Sequence, residues 1–334
     1  MQRTENPLVP PFRRPPSHVA IRRVDSYERD FFALIYETLR ELQKRETAEQ
    51  TRPQAPGVPA STSTTLAQIR GKTVLLKPNF VTLDPLSAIN THPAIVAAAR
   101  ESFLKLGAAQ VLIGDGPALD RDTEAVVESV RLREYVGPLQ RSFTDLNVDD
   151  VARVPLRTRA SRLKELYLPK TVLAADFVVS MPKLKTHHWA GVTLSLKNMF
   201  GIVPGGCYGW PKNVLHWAGI DNAILDINAT VRPDFAIVDG INGMEGNGPI
   251  QGVPKKTNVV VFGNDPVAVD ATCCRIMGLL PEKIKYLAGA GTLLGHLNHD
   301  KIEQLGESIA SVRTPFAVLK EFEGIKEVDR QKRN

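Results

Sequence analysis

Apolar residues along the chain fall into two alternating rhythms. Val74-Leu75-Leu76, Val111-Leu112-Ile113, Phe177-Val178-Val179, Phe235 to Val238 and Val259 to Phe262 are short runs without an interior charge, each closed by polar or glycine-containing residues. Such runs predict strands buried on both faces. Between them the spacing changes. Phe31, Leu34, Ile35, Leu39 and Leu42 line one face of a helix expected over Tyr27 to Arg45, and Ile95, Val96, Ala99, Phe103 and Leu106 line another behind Pro93. Pro93 at the start and Gly107 at the end of that second helix match the usual asymmetry of helix termini. Strand–helix–strand order predicts right-handed parallel crossovers. The expected fold is therefore α/β, with mostly parallel sheet flanked by helices and two lobes sharing a cleft.

The same pattern divides the chain. Residues 1–17 form a Pro/Arg tail expected to be disordered, 18–70 carry a strand, a helix and a polar linker, 71–175 make a first α/β lobe, 176–320 a second, and 321–334 a basic tail. The polar, proline-containing stretch from Arg52 to Thr65 is also expected to lie on the surface or be disordered. Lys77, Asn79, Asp115, Asp239 and Asp265 all stand just past predicted strand ends. In a parallel sheet those ends share one edge, where ligands bind. Taken singly, Asp115 and Asp239 precede glycine and suit turns, and Asp265 before Pro266 suits a helix cap.

Candidate chemistry concentrates between Met181 and His216. This segment holds Lys183, Lys185, His187, His188, Lys197, Lys212 and His216 with no Asp or Glu, and it begins where the strand at Phe177 should end. Trp189, Val192, Leu194, Leu196, Met199 and Phe200 make it too apolar for a solvated charged face. Cations gathered in an apolar setting call for an anionic ligand.

Composition narrows the partners. The net charge is +6, but Arg13, Arg14, Arg22, Arg23, Lys326, Arg330, Lys332 and Arg333 put much of it near the two ends. No zinc finger, helix-turn-helix or basic-aromatic sheet motif accompanies it, so specific nucleic-acid recognition is not expected. No apolar run reaches the ~18 residues of a membrane span, and the first residues lack the apolar core of a secretory signal. Cys207, Cys273 and Cys274 form no disulfide framework, which suits a reducing cytoplasm. Cys273 and Cys274 are expected in the core, and His296 and His299 on the surface. No motif sets an oligomeric state.

The run PKLKTHHWAGVTLSLKNMFGIVPG, with THPAIV and GDGP before it and GNDPVAVDA after it, resembles the family called domain of unknown function 362 over roughly Lys72 to Leu280. Many members of that family carry a ferredoxin-like cysteine module. This chain has no Cys-x-x-Cys run, so no iron–sulfur cluster is expected.

In layout the segment is also similar to the nickel-pincer lactate racemase family, with His187 or His188 before Ala190-Gly191, then Lys197, Pro204-Gly205, Asn213 and His216. That resemblance implies an acid/base histidine at His187 or His188, a lysine-linked nickel-pincer cofactor or other metal group at Lys197, and a metal ligand at His216. It puts His92 where the family binds substrate through arginine, and Gly114-Asp115-Gly116 where the family has Gly-His-Arg. These departures imply a shared scaffold with a different reaction.

Three functions fit the residues. One is an enzyme acting on a small carboxylate or phosphate by racemase- or isomerase-like proton transfer. There His187 or His188 is the acid/base, Lys183, Lys185 and Lys197 clamp the anion, and Lys77, Asn79, Asp115 and Asn198 complete the site. Histidine suits the proton step because its ordinary pKa lies near neutrality. The second is a non-catalytic binding protein for an anionic metabolite or cofactor. The third is a redox protein related to the iron–sulfur members but without their cluster module.

Overall fold

The computed structural model describes residues 15–50, 64–83, 88–119 and 122–327. Residues 1–14, most of the Arg52 to Thr65 linker and the end of the basic tail lie outside the described residues.

Twelve strands are present among the described residues. They are β1 (Ser17–Arg23), β2 (Thr73–Pro78), β3 (Gln110–Asp115), β4 (Phe143–Asp145), β5 (Val151–Pro155), β6 (Glu165–Pro169), β7 (Phe177–Met181), β8 (Lys183–His187), β9 (Gly191–Thr193), β10 (Phe235–Glu245), β11 (Val253–Gly263) and β12 (Ile302–Gly306). The main row runs β12-β1-β11-β10-β7-β2-β3-β4, with β8 on β10 and β9 on β8; β5 and β6 form a separate hairpin. The sheet crosses the predicted lobe boundary, since β2 pairs with β7 from Val74↔Phe177 to Pro78↔Met181.

Alternation along fully apolar strands feeds two cores. Val74 and Leu76 of β2 pack on the side of helices Phe31–Gln50 and Pro93–Lys105. Leu75, between them, packs on the side of helices Ile220–Val231 and Pro266–Ile276. Helix Pro93–Lys105 starts with proline in its first turn behind His92 and is followed by Gly107 at φ +100°. Among the described residues, no helix is long and apolar enough to cross a membrane.

Parallel pairing joins β10 to β7, β7 to β2, β2 to β3 and β3 to β4. β11 is the exception in this row, because it runs antiparallel to both β10 and β1. The expectation that Asp265 joins the common edge is therefore corrected. The residues after β11 emerge at the opposite edge, where Asp265 caps helix Pro266–Ile276 and accepts a hydrogen bond from Ser17 Oγ at 2.7 Å. His296 is corrected too. It is buried beside Ser17, with Nδ1 2.8 Å from Ser17 Oγ, whereas His299 is exposed.

Candidate functional site

The ends of β2 and β3 are tied by a buried ion pair. Lys77 Nζ donates to Asp115 Oδ1 at 2.6 Å and to Asn198 Oδ1 at 3.1 Å. Asp115 Oδ1 also accepts from Gly116 N at 2.8 Å, and its Oδ2 accepts from Phe80 N at 2.7 Å. Asn198 Nδ2 returns a bond to the Lys77 carbonyl at 3.0 Å. Burial pulls the Lys77 ammonium below its ordinary pKa, against the Asp115 charge that raises it. Gly201 has to be glycine here, because a Cβ would meet the Lys77 ammonium and stand 2.7 Å from Asp115 Oδ1.

A second network occupies the start of β8 and the middle of β10. Lys183 Nζ lies 2.8 Å from Asp239 Oδ2 and donates to Tyr27 Oη at 2.6 Å; Tyr27 Oη in turn donates to Asp239 Oδ1 at 2.7 Å. His92 stacks on the Tyr27 ring at 4.0 Å, and its Nδ1 caps its own helix through Ala94 N. Burial holds the His92 imidazole neutral, with its pKa lowered to about 4. Lys183 and His92 thus stand in this network and not in the cavity beside it.

That cavity, of about 330 Å³, opens at the carboxyl ends of β2 and β3 and against β8. It is a volume suited to a small molecule. Of the expected site residues, Lys77, Asn79, Asp115, Lys185, His187, His188, Lys197, Asn198 and His216 line it. Four lysines (Lys77, Lys185, Lys197 and Lys212) face one carboxylate, Asp115, which Lys77 already engages.

The two adjacent histidines are fixed differently. His187 Nδ1 accepts from Trp189 N at 3.0 Å and Ala190 N at 3.2 Å, so the neutral ring carries its proton on Nε2. Burial first, then Lys197, His188 and Lys185, holds its pKa well below the ordinary value. His188 Nδ1 lies 2.8 Å from the Gly248 carbonyl, so that nitrogen is the donor and Nε2 keeps the lone pair when the ring is neutral. The His188 backbone N–H donates to the same carbonyl at 2.9 Å. This close approach requires glycine, since a Cβ at Gly248 would collide with the Thr186 carbonyl.

Lys197 sits on the short helix Ser195–Asn198, whose start is held by Asp270. Asp270 Oδ1 accepts from Ser195 N at 2.7 Å and Oδ2 from Leu196 N at 3.0 Å. Among the described residues Lys197 Nζ has no hydrogen bond or ion pair and lies 4.1 Å over the Phe200 ring. Burial, with Lys77 adding to it, lowers its pKa to about 7. Lys185, by contrast, donates to the Ile89 carbonyl at 2.8 Å. Lys212 donates to the carbonyls of Gly116 at 2.8 Å and of Phe200 and Gly201 at 3.3 Å each, from a left-handed backbone at φ +64°.

Among the described residues, three further polar atoms of lining residues are buried without a hydrogen-bond partner: Asn79 Oδ1, Thr193 Oγ1 and His216 Nδ1. His216 is lowered to about 4, chiefly by burial and then by Lys197. Its ring packs on Phe200 and on Trp189, with centroids 5.8 and 4.9 Å away. Among the described residues, no group of three or more His, Cys, Asp or Glu could hold a metal ion. An ion bound by protein side chains alone therefore lacks its donors, and His216 offers one nitrogen. For a lysine-linked group, Lys197 would be the attachment point, and His216 packs on the same Phe200 ring. Cys273 and Cys274 are buried with thiol pKa values well above normal, and Cys207 is exposed.

Beyond the expected residues, Lys212, Thr193, Trp189 and the residues flanking Gly248 are among those that line the cavity. Lys212 and Trp189 lie within the cationic segment itself. The loop around Gly248 gives a weaker sign in its glycines, Gly246, Gly248 and Gly252.

The sequence matches the family described as "Domain of unknown function (DUF362)" over residues 74–275, a span that contains every residue lining the cavity. It is 31% identical over 227 residues to the thylakoid-associated protein sll1697 of Synechocystis sp., covering 65% of this chain and 67% of that protein. The lactate racemase apoprotein from Thermoanaerobacterium thermosaccharolyticum is similar with a TM-score of 0.47 and 13% identity. That match covers 80% of this chain and 58% of the racemase, so the chain spans less than two thirds of the racemase's length.

Proposed function

The chain belongs to the domain of unknown function family DUF362, and we propose that its cavity is the active site of an enzyme acting on a small carboxylate or phosphate by proton transfer. The observation that carries this reading is the Lys197 ammonium, without a hydrogen bond or ion pair among the described residues, beside three other lysines and one carboxylate already engaged. Desolvated cations of this kind are unfavourable until an anion joins them. Asn79 Oδ1, Thr193 Oγ1 and His216 Nδ1 supply polar atoms that a ligand would satisfy.

The histidines divide the work. His188 Nε2, with its lone pair, is the base that removes a proton from substrate. His187 Nε2–H donates to the oxygen on which negative charge develops, and being held neutral it does so without giving up its proton. Retention of an anion without turnover would need the lysines but not this opposed pair, so the arrangement favours an enzyme over a binding protein. Three free thiols, two of them buried, suit the reducing cytoplasm as its setting.

Calorimetry of the purified chain against a panel of small carboxylates and phosphates tests the reading. It is supported by binding that weakens in Lys197→Met, together with proton exchange into the bound ligand from deuterated water that is lost in His188→Gln. Equal binding by parent and Lys197→Met overturns it.

A further inference from the structure

We infer that Lys197 is a nucleophilic amine that condenses with the carbonyl group of a small oxo acid, whose carboxylate is held by the neighbouring cations. This inference rests on the anionic-substrate reading above and adds the chemical class of the substrate.

The four cavity lysines differ in what holds their nitrogens. Lys77 is bound to Asp115 and Asn198, Lys185 to the Ile89 carbonyl, and Lys212 to three backbone carbonyls. For any of these, forming a bond to carbon would break hydrogen bonds already made. Lys197 Nζ has none to break among the described residues, since it rests only on the Phe200 face. Its helix is anchored from behind by Asp270 and by Asn228 Nδ2, which donates to the Leu196 carbonyl at 2.9 Å. The amine is thus presented at a fixed position, as a nucleophile must be. A pKa near 7 leaves an appreciable neutral fraction under ordinary conditions, and only the neutral amine attacks carbon.

The step balances without an oxidant or reductant. The Nζ lone pair forms the C–N bond while the carbonyl π electrons move to oxygen. That oxygen leaves as water, taking both amine hydrogens, and a C=N bond remains. Once protonated, the imine draws electrons from the adjacent C–H bond, whose proton His188 Nε2 can accept. The product of that transfer is the enamine, and reprotonation at either face of the carbon reverses it. Lys77 and Lys185, which line the same cavity, face the carboxylate.

The test uses the full chain, pyruvate as probe and borohydride to reduce any imine to a stable secondary amine. Propionate, the same length but without the carbonyl, serves as the binding control. The expected result is a single covalent adduct mapped by mass spectrometry to Lys197, with trapping that increases as pH rises through about 7. Lys197→Arg, which keeps the charge but not the nucleophile, should still bind propionate and give no adduct. Binding of pyruvate and propionate with no adduct, or an adduct spread equally over surface lysines, overturns the imine and leaves the anion site standing. Failure of both acids to bind a chain that melts normally overturns the imine together with the anion reading for carboxylates.

Discussion

His187 and His188 stack with ring centroids 4.8 Å apart and an interplanar angle of 28°, yet the hydrogen bonds behind them fix opposite nitrogens as donors. Two backbone N–H groups point at His187 Nδ1, and one carbonyl accepts from His188 Nδ1. The chain thereby presents an N–H donor and a lone pair side by side from consecutive residues. Had both rings shared a tautomer, the pair would offer two donors or two acceptors, and the division between stabilising charge and moving a proton would be lost.

Imidazole nitrogen NMR of the labelled protein should therefore report the proton on Nε2 for His187 and on Nδ1 for His188. His187 should stay neutral as pH falls through 6.5, because burial and Lys197 oppose its charging. If the proposed reaction holds, His188→Gln should cost turnover by roughly 10²–10⁴-fold, the usual scale for a lost general base. His187→Gln, which can still donate, should cost less. Identical spectra for the two rings would remove the basis for assigning them different roles.

Lys197→Met should trade function for stability. The ammonium is largely enclosed and has no partner among the described residues, so replacing it with an apolar side chain of similar length removes a desolvated charge. By analogy with buried charges replaced by apolar groups, the gain is on the order of 1–4 kcal/mol in chemical denaturation. Anion binding should fall by about 2–5 kcal/mol. A variant that binds as before and unfolds earlier would mean that Lys197 supports the fold and not a ligand.

Stability should climb between about pH 7 and 8.5. Lys197 and Lys212 have folded pKa values near 7, below the ordinary lysine value of about 10.4. In this window the folded protein has released protons that the unfolded chain still binds, so the slope of unfolding free energy is positive, roughly 1 kcal/mol per pH unit per lysine. The charges facing Lys197 are Lys77, Lys212, His187, His216 and Asp115. The folded His187 and His216 rings are already neutral there, and the thiols of Cys273 and Cys274, raised in the folded state, begin to oppose the trend toward the top of the window without reversing it. Below pH 7 the slope is smaller. Glu46 and Asp270, raised to about 7 by burial, lose stability as pH rises, while His92 and His216, lowered to about 4, gain it. Urea denaturation at pH 7.0, 7.7 and 8.4 should follow this course, with a shallower rise in Lys197→Met.

Much of the sheet is legible because β2, β3, β7 and β10 are apolar on both faces, a pattern that only sandwiching between helices explains. Direction is not written in such a run. Val259 to Phe262 looks like Phe235 to Val238, and only its pairing with β10 and β1 shows that Asp265 turns away from the site. The cationic segment marks the cavity because its lysines have no local counter-ions. Which lysine is left bare depends on partners far along the chain. Asp115 reaches Lys77 across 38 residues and Asp239 reaches Lys183 across 56, while Gly116 meets Lys212 across 96. Lys183 and Lys185, two residues apart on one strand, end in different surroundings for this reason. Composition cannot tell them apart.

Gly201 offers a test of the paired ends of β2 and β3 that leaves every charged group in place. A methyl group there would press on the Lys77 ammonium and come within 2.7 Å of Asp115 Oδ1. Lysine tips usually give way easily, but this one is held by Asp115 and Asn198, so either the ion pair opens or the backbone shifts. Overpacking of this kind costs about 1–3 kcal/mol. Gly201→Ala should therefore unfold earlier than the parent, and its anion binding should weaken because the Lys77 ammonium and the adjoining helix that carries Lys197 are displaced together. Gly324→Ala is the matched control, since a Cβ there meets nothing within 4 Å, and its stability should stay within about 0.5 kcal/mol of the parent. If Gly201→Ala behaves like the control in both denaturation and calorimetry, the Lys77–Asp115 pair is not the fixed floor of the cavity, and the anion must be gripped by Lys185 and Lys197 alone.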